Sequence, residues 1–263
     1  MAQRSNGYIL GFATAVCVVC SVFVSGAALS LKDKQVANAE LDLKKNVISV
    51  SGLKSAGDDG QIVVTPEDVD TFFKEGAPNR VELGYVELKS GAATERDIAE
   101  KYINANKGEC EDLSKKDNIA KISCLPKYRQ VFTVYKNNAV DRIILNVEGK
   151  GLWSTLYGFL ALSKDGATIN GLTFYKHGET PGLGGEVDNP KWKKLWVGEQ
   201  AYKAGEPQID VVKGSAPVGV STDGKVDGLS GATLTANGVE SLLNFWLGPQ
   251  GYGPYVQSLS KGS

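Results

Sequence analysis

A long uncharged segment near the amino terminus limits what this chain can fold into more than any other feature. No charged residue occurs between residues 5 and 31, and most residues from 8 to 31 are apolar. About 20 apolar residues suffice for a helix that crosses a bilayer. We therefore predict a single transmembrane anchor at 8–31, after a short N-terminus at 1–7. A cleaved signal peptide is the alternative because residues 25–28 are small, but the apolar run is longer than the roughly 7–15 residues of a typical signal core.

The residues after the anchor are polar enough to form one folded domain outside the membrane. Arg4 precedes the anchor and two lysines follow it closely, so the positive-inside rule decides little about orientation. A signal-like start followed by a polar domain favours export of residues 32–263. We divide this part into a helical connector at 32–60, which is rich in charged helix formers, and a folded domain at 61–263.

The composition excludes several classes of function. The chain carries 29 basic and 30 acidic side chains and has no basic patch with interleaved aromatic residues, so we expect no nucleic-acid partner. His177 is the single histidine and there are four cysteines, which argues against histidine-based catalysis and multi-histidine metal sites. We expect no catalytic residue in the chain itself, and we expect the chemistry to belong to a bound group.

Strand and helix patterns are mixed along the domain without a strict βαβ rhythm, which predicts an α+β fold. Strands are expected at 61–65, 130–135, 140–147, 168–176 and 209–213. Helices are expected at 66–73, at 95–105, at 153–162 and, as the final helix, at 236–247. Thr65 is the expected N-cap of the first of these helices, and Thr94 begins a capping-box pattern before the second.

The four cysteines form two pairs with different expectations. Cys17 and Cys20 lie within the apolar segment on one face of a helix, where small residues are typical of a helix–helix contact. Cys110 and Cys124 lie in a polar stretch, 107–127, which we interpret as a surface insertion. In an exported domain they are a plausible disulfide, which would stabilise the fold by about 3 kcal/mol for a loop of this length. Two unpaired thiols are the alternative.

A glycine-rich sequence near the carboxyl end is the strongest candidate for a binding site. Residues 227–235 read Asp-Gly-Leu-Ser-Gly-Ala-Thr-Leu-Thr. The apolar residues that follow recur with the spacing of one helix face: Val239, Leu242, Leu243 and Trp246. Thr235 is the expected N-cap of this helix, and Gly248 ends it.

The start of such a helix favours phosphate, because its first N–H groups are unpaired and the helix dipole adds partial positive charge. Thr233 would lie two residues outside the helix, where its hydroxyl can face a bound anion. An ordinary turn before a capped helix is the alternative interpretation of the same residues.

A second glycine-rich stretch, 177–186, reads His-Gly-Glu-Thr-Pro-Gly-Leu-Gly-Gly-Glu. Its glycines permit close approach of the backbone to a flat ligand. It matches neither the dinucleotide-binding fingerprint nor a P-loop. Trp153 could stack on an aromatic ring. The alternatives are a tight surface turn for the glycines and a half-buried core position for the tryptophan.

Together these motifs resemble the family of periplasmic FMN-binding domains, and within it the C subunits of Na⁺-translocating NADH:quinone reductases. The resemblance begins with the anchor and continues through five segments in order: 151–154, 178–187, 212–214, 227–235 and 245–248. Little of it covers 90–127, so it assigns no role to Cys110 and Cys124.

The resemblance implies a covalently bound flavin. Thr233 would carry FMN through a phosphoester bond, and a separate flavin transferase would install it from FAD with Mg²⁺, using Asp227 as part of its recognition signal. Thr235 would help to hold the phosphate. The other implied cofactor-binding residues are the motif residues Ser230, Gly231 and Ala232, the ring contacts Glu179, Thr180 and Leu183, and Trp153 and Lys213 at the border of the site.

The implied function is electron transfer within a Na⁺-pumping NADH:ubiquinone oxidoreductase. The chain would be a single-pass protein of the bacterial inner membrane, with residues 1–7 in the cytoplasm and its C-terminal domain in the periplasm. Its partners would be the membrane, the other subunits of the complex and the flavin transferase. The homologous subunit of an Rnf-type ferredoxin:NAD⁺ complex is the close alternative, and an anchored FMN-binding sensor or scaffold without electron flux is another.

Overall fold

The structure is a computed structural model that describes residues 6–57, 60–214 and 224–261. The chain divides into two compact units, Met1–Leu43 and Lys44–Ser263. The first unit consists of most of helix α1, Asn6–Ser51, which is long and apolar enough to cross a membrane. Because the same helix continues to Ser51, the predicted connector is helical over most of its length.

The second unit is built on a six-stranded antiparallel sheet with the strand order β2-β1-β3-β4-β5-β6. Its strands are β1 Arg80–Glu87, β2 Ala93–Thr94, β3 Tyr128–Lys136, β4 Ala139–Lys150, β5 Thr155–Ser163 and β6 Ile169–Lys176. Two short pairs follow: β7 Tyr202–Lys203 with β8 Glu206–Pro207, and β9 Asp210–Val212 parallel to β10 Lys225–Asp227.

Within the described ranges, five further helices accompany this sheet: α2 Pro66–Phe72, α3 Arg96–Ala105, α4 Pro190–Leu195, α5 Thr233–Leu247 and α6 Gly253–Lys261. A 3₁₀ turn covers Gly184–Asp188. Sheet and helices are mixed as predicted, so the α+β class is confirmed.

Helix α5 provides much of the core. Val239, Leu242, Leu243 and Trp246 are each fully buried, which confirms the predicted apolar face. The Trp246 indole Nε1 donates to the carbonyl oxygen of Glu148 on β4 at 2.7 Å. This bond fixes the helix against the strand that leads to Gly151 and Trp153.

The last turns of α1 also belong to the core of the second unit. Val47 and Ile48 are fully buried, and Val50 is 6% exposed. The carbonyl of Val50 accepts a hydrogen bond from the guanidinium of Arg142 on β4, at 3.3 Å. Residues 44–51 therefore serve as an element of the folded domain.

Several local predictions are confirmed. Thr65 caps α2, and a capping box with Asp68 is complete. Strands β3 and β4 cover the expected segments, and β6 begins one residue after its predicted start. Cys110 and Cys124 form a disulfide with Cα atoms 5.1 Å apart, while Cys17 and Cys20 are free and exposed on α1.

Other predictions are wrong. Most of 153–162 is strand β5, because an apolar run buried on both faces suits a central strand as well as a helix. Residues 61–65 form no strand. The capping box at Thr94 does not form, since Thr94 lies in β2 and Glu95 is an N-cap without a side-chain bond.

Two predictions about less regular segments also need correction. The stretch 107–127 is more than a surface insertion, because Ala120, Ile122 and Leu125 are buried in the core. Helix α5 is not the final helix, since α6 follows it.

Candidate functional site

Thr233 is the first residue of helix α5 and its side chain is exposed. The N-cap residue is Ala232, which makes no side-chain capping bond. The first bond of the helix runs from the N–H of Ala236 to the carbonyl of Ala232, at 3.0 Å. Helix geometry therefore leaves the earlier N–H groups of this turn outside the intrahelical ladder, beside the Thr233 hydroxyl.

This start differs from the prediction in two respects. Thr233 lies inside the helix as its first residue, not two residues outside it. Thr235 is the third residue of the helix, not its N-cap, and it is fully buried. Its hydroxyl donates to the Oε2 atom of Glu179 at 2.6 Å. The role of Thr235 in holding a phosphate stays a prediction, and this geometry does not favour it.

The turn before α5 contacts the second glycine-rich stretch. Gly231 has a φ of +70°, a conformation that favours glycine, and a Cβ built there would lie 3.0 Å from a methyl carbon of Leu183. The N–H of Ala232 donates to the carbonyl of Leu229 at 3.1 Å, which closes the turn around the exposed Ser230. The two motifs that the sequence singles out therefore meet in space.

The Leu183 loop is itself a closed turn. The carbonyl of Thr180 accepts the N–H groups of Leu183 at 3.1 Å and Gly185 at 2.9 Å, while the Thr180 side chain is exposed. His177 lies at the base of this loop, with Nε2 2.8 Å from a carboxylate oxygen of Asp188. Its Nδ1 accepts the N–H of Glu179 at 3.2 Å. In the neutral imidazole the proton therefore lies on Nε2, which faces Asp188.

Glu179 points into the protein. Its side chain accepts hydrogen bonds from the backbone N–H groups of Leu152, Trp153 and Ser154, in addition to the Thr235 hydroxyl. Burial alone would raise the pKa of Glu179, but the hydroxyl and the three N–H donors outweigh it and lower the pKa below its ordinary value. The carboxylate is therefore ionised at neutral pH. The predicted contact of Glu179 with a flavin ring stays untested, and these four hydrogen bonds do not favour it.

Four apolar side chains are exposed on the segments that carry these residues. Trp153 is 67% exposed, and the others are Leu152, Leu183 and Leu234. Trp153 and Leu152 belong to the turn bonded to Glu179, Leu183 contacts the turn before α5, and Leu234 follows Thr233. Exposed apolar groups gathered near polar ones are typical of a binding surface for an aromatic ligand.

Asp227 and Lys213 lie at the amino-terminal end of the 227–235 motif, away from the start of α5. Val212 pairs with Asp227 across the parallel strands β9 and β10, and the N–H of Gly228 donates to the carbonyl of Gly214 at 3.1 Å. The exposed Lys213 therefore lies next to the residues that begin the motif. The main-chain carbonyl of Asp227 accepts the indole N–H of Trp192 at 2.8 Å, which fixes this strand end.

The structure thus brings together Thr233, Leu183, Glu179 and Trp153, which lie far apart in the sequence. Sequence reasoning missed Leu152 and Leu234, which lie next to predicted residues and have no pattern of their own. Sequence reasoning also missed the four hydrogen bonds that the Glu179 carboxylate accepts, because main-chain donors leave no signal in a sequence.

A comparison with known protein families identifies the class of domain to which the site belongs. Residues 151–248 match the family described as the FMN-binding domain, and this segment contains every site residue described above. The exposed threonine at a helix start, the meeting glycine-rich turns and the exposed tryptophan all fall within it.

Full-length relatives define the family more closely. The chain is 42% identical to the C subunit of the Na⁺-translocating NADH-quinone reductase of Pseudomonas aeruginosa, over 99% of this chain and 98% of that one. It is 39% identical to the protein of the same name from Vibrio alginolyticus, over 99% and 96%. This chain belongs to the family of C subunits of Na⁺-translocating NADH-quinone reductases.

Solved structures agree with this assignment. The crystal structure of Shewanella oneidensis NqrC is 30% identical and has a TM-score of 0.68, covering 83% of this chain and 95% of that one. The crystal structure of the corresponding C subunit from Parabacteroides distasonis is 26% identical and has a TM-score of 0.62, covering 88% and 97%.

Proposed function

We propose that this chain is the electron-transfer subunit of a Na⁺-translocating NADH:quinone reductase, and that it carries FMN through a phosphoester bond to Thr233. The observation that carries the proposal is the position of Thr233. Its hydroxyl is exposed in the first turn of α5, in a chain whose family and domain class both point to FMN.

The residues present fit this cofactor. The first-turn N–H groups of α5 would receive the phosphate oxygens, because no side chain caps that helix in the described structure. The exposed side chains of Trp153 and Leu183 would flank the isoalloxazine ring, together with Thr180. When bound, FMN supplies the electron-transfer chemistry, and the protein sets its position and potential.

Lys213 would act through its charge. An exposed cation beside the motif stabilises the anionic form that a flavin takes on reduction, at a strength limited by solvent screening. Asp227 and its neighbours would form part of the signal that a flavin transferase reads when it installs FMN from FAD with Mg²⁺. The exposure of Ser230, Gly231 and Thr233 supports access to such an enzyme.

The apolar part of α1 would anchor the chain in the bacterial inner membrane, with the domain in the periplasm. The Cys110–Cys124 disulfide supports this orientation, because disulfides persist in oxidising compartments and are rare in the cytosol. The other subunits of the reductase would be its partners. Membership of the C-subunit family argues against the Rnf-type alternative.

The attachment is tested with a Thr233→Val variant produced alongside the flavin transferase. We expect ultraviolet flavin fluorescence at this chain after denaturing electrophoresis of the wild type, and its loss in the variant. Thr71→Val is the control, since Thr71 is also an exposed helical threonine and lies outside both glycine-rich motifs. Fluorescence that survives in Thr233→Val would contradict the proposed attachment.

Electron flux is tested by rapid kinetics of the assembled reductase. If the chain carries electrons, its flavin becomes reduced after NADH addition at least as fast as quinone is reduced. A flavin whose reduction lags behind turnover would support the sensor or scaffold interpretation instead.

A further inference from the structure

The Glu179 carboxylate occupies a site made of main-chain donors. Three consecutive N–H groups converge on it: Trp153 at 2.9 Å and Ser154 at 3.1 Å on Oε1, and Leu152 at 3.2 Å on Oε2. The Thr235 hydroxyl completes the set on Oε2 at 2.6 Å. Successive N–H groups that face one point form an anion-binding nest, and the anion held here belongs to the protein itself.

The surrounding backbone lies too close to admit any other group. Glu179 is 5% exposed. A Cβ at Gly151 would lie 2.7 Å from Oε1, and one at Gly184 would lie 2.9 Å from Oε2. A carboxylate offers about four lone-pair directions, and four donors already use them. Glu179 is therefore occupied within the protein and has no acceptor capacity left for a cofactor.

The four donors belong to separate parts of the candidate site. Leu152, Trp153 and Ser154 form the turn that presents Trp153. Thr235 lies two residues after Thr233 in the first turn of α5, and Glu179 itself belongs to the loop that presents Thr180 and Leu183. One side chain therefore connects all three segments.

We propose that Glu179 is a positioning residue, which holds the Trp153 turn and the start of α5 in a fixed relation so that a flavin attached at Thr233 is held against the tryptophan. The inference rests on the proposed function for the flavin, but the contacts around Glu179 are independent of it. Glu179 acts through its neighbours and does not touch the cofactor.

Two variants distinguish a positioning role of Glu179 from a role in the stability of the fold alone. Glu179→Gln replaces one acceptor oxygen with an NH₂ group. At the Oε2 position this group faces the Leu152 N–H and the Thr235 hydroxyl, and at the Oε1 position it faces the N–H groups of Trp153 and Ser154. Thr235→Val keeps the carboxylate and the side-chain shape but removes the hydroxyl donor. The matched controls are Glu186→Gln, whose carboxylate accepts only a bond from Asn189 among the hydrogen bonds described, and Thr173→Val, a buried threonine on β6.

The full-length chain, produced with the flavin transferase and purified in detergent, is examined in three ways. Hydrogen exchange is followed in peptides covering 149–156 and 231–240, the visible circular dichroism of the flavin is recorded, and its midpoint potential is measured. In Glu179→Gln we expect exchange at 152–154 to accelerate about 10-fold or more, because charge-assisted bonds are lost. We expect the flavin dichroism and potential to shift as well. In Thr235→Val we expect the flavin dichroism to shift while exchange at 152–154 changes less.

The positioning role would be overturned by two results together. The exchange rate at 152–154 in Glu179→Gln would equal that of the wild type, and the flavin dichroism and potential would be unchanged in both variants. Should Glu179→Gln fail to fold, Thr235→Val decides by its flavin dichroism alone. Failure of the proposed function is a separate result, since a wild-type chain without covalent flavin would remove the flavin readouts and leave the exchange test intact.

Discussion

At the scale of single residues, the candidate site combines an exposed nucleophile-type side chain with a buried carboxylate. Thr233 is open to solvent in the first turn of α5. Glu179 is enclosed and accepts four hydrogen bonds from neighbouring segments. In the proposed function Thr233 is the point of attachment, and in the further inference Glu179 holds the segments around it in place.

The lowered pKa of Glu179 predicts how stability depends on pH. A carboxyl group whose pKa is lower in the folded state stabilises the fold above its ordinary value of 4.5, and this contribution is lost as the pH falls through the folded-state pKa. At pH 7 we expect Glu179→Gln to lower the free energy of unfolding by about 1–3 kcal/mol. The difference between wild type and variant should shrink as the pH falls below 4.5.

Thermal unfolding of both proteins between pH 3.5 and 7 measures this difference. Glu186→Gln serves as the control and should change stability little. A deficit in Glu179→Gln that is the same at every pH would show that lost packing, not lost charge, causes it.

Lys213 predicts an electrostatic effect on the flavin. Replacement by glutamine removes an exposed cation next to the motif, so we expect the midpoint potential to fall by about 10–40 mV at low salt. The fall should be smaller at high ionic strength, because exposed charges are screened. Lys203→Gln is the control, since Lys203 is exposed on β7. A potential that is unchanged at low salt would place Lys213 outside the flavin's electrostatic reach.

At the scale of elements, a disulfide-closed loop supports the strand that leads into the site. The carbonyl of Ala120 accepts the N–H of Lys150 at 2.8 Å, at the end of β4. Gly149 lies between this loop and α5, where a Cβ would be 3.1 Å from the Ala120 oxygen and 2.4 Å from Cβ of Leu242. The loop therefore holds the strand end just before the turn that carries Trp153.

Removal of the Cys110–Cys124 bridge should destabilise the domain. The bond joins cysteines 14 positions apart, for which chain entropy predicts a loss of about 3 kcal/mol when both cysteines become serine. Thermal unfolding with and without reductant measures this loss, and the reductant should lower the melting temperature of the wild type but not of the variant without Cys110 and Cys124. Replacement of Cys17 and Cys20 by serine is the matched control, because these thiols are free. A melting temperature that does not respond to reductant would contradict a structural role for the bond.

The sequence predicted those elements whose signals are local. The capped start of α2 and the apolar face of α5 are found where Thr65 and the Val239 to Trp246 spacing place them. Strand β5 was predicted as a helix because 155–163 is apolar on both faces and short apolar runs do not distinguish the two structures. The start of α5 was misplaced because Ala232 is a poor N-cap on propensity, and the neighbouring contacts override that preference.

For the candidate site too, the sequence predicts only the features that have a local signal. Thr233, Trp153 and Leu183 could be named from their motifs, and the fold brings their segments together. The inward direction of Glu179 and the burial of Thr235 could not be named. Glu179 bonds to main-chain N–H groups of a turn more than twenty residues away, and the Thr235 hydroxyl bonds to Glu179 in a different segment. Contacts of that kind arise from the fold and leave no residue pattern.

At the scale of the whole molecule, the membrane helix and the domain share one continuous element. Helix α1 runs from Asn6 to Ser51, and its last turns contribute Val47 and Ile48 to the core of the second unit. The boundary between the compact units therefore falls inside the helix, at Leu43 and Lys44. A domain cut at the end of the helix would lose part of its own core.

Two shortened chains test this boundary. A chain that begins at residue 33 keeps the buried turns, and we expect it to fold without the membrane anchor and to accept flavin. A chain that begins at residue 53 loses three buried apolar side chains, each of which is worth about 1.5–3 kcal/mol. We expect its melting temperature to be lower by about 10 °C or more for a domain of this size. Equal melting temperatures would contradict a structural role for residues 44–51.

The most direct test of the account is the location of the flavin on the wild-type chain. Trypsin cleavage after Lys225 gives the peptide 226–261, which contains Thr233 together with Ser230 and Thr235. Tandem mass spectrometry of this peptide, from protein produced with the flavin transferase, should place the mass of FMN less one water on Thr233. A peptide without this mass, or with the mass on Ser230 or Thr235, would contradict the account.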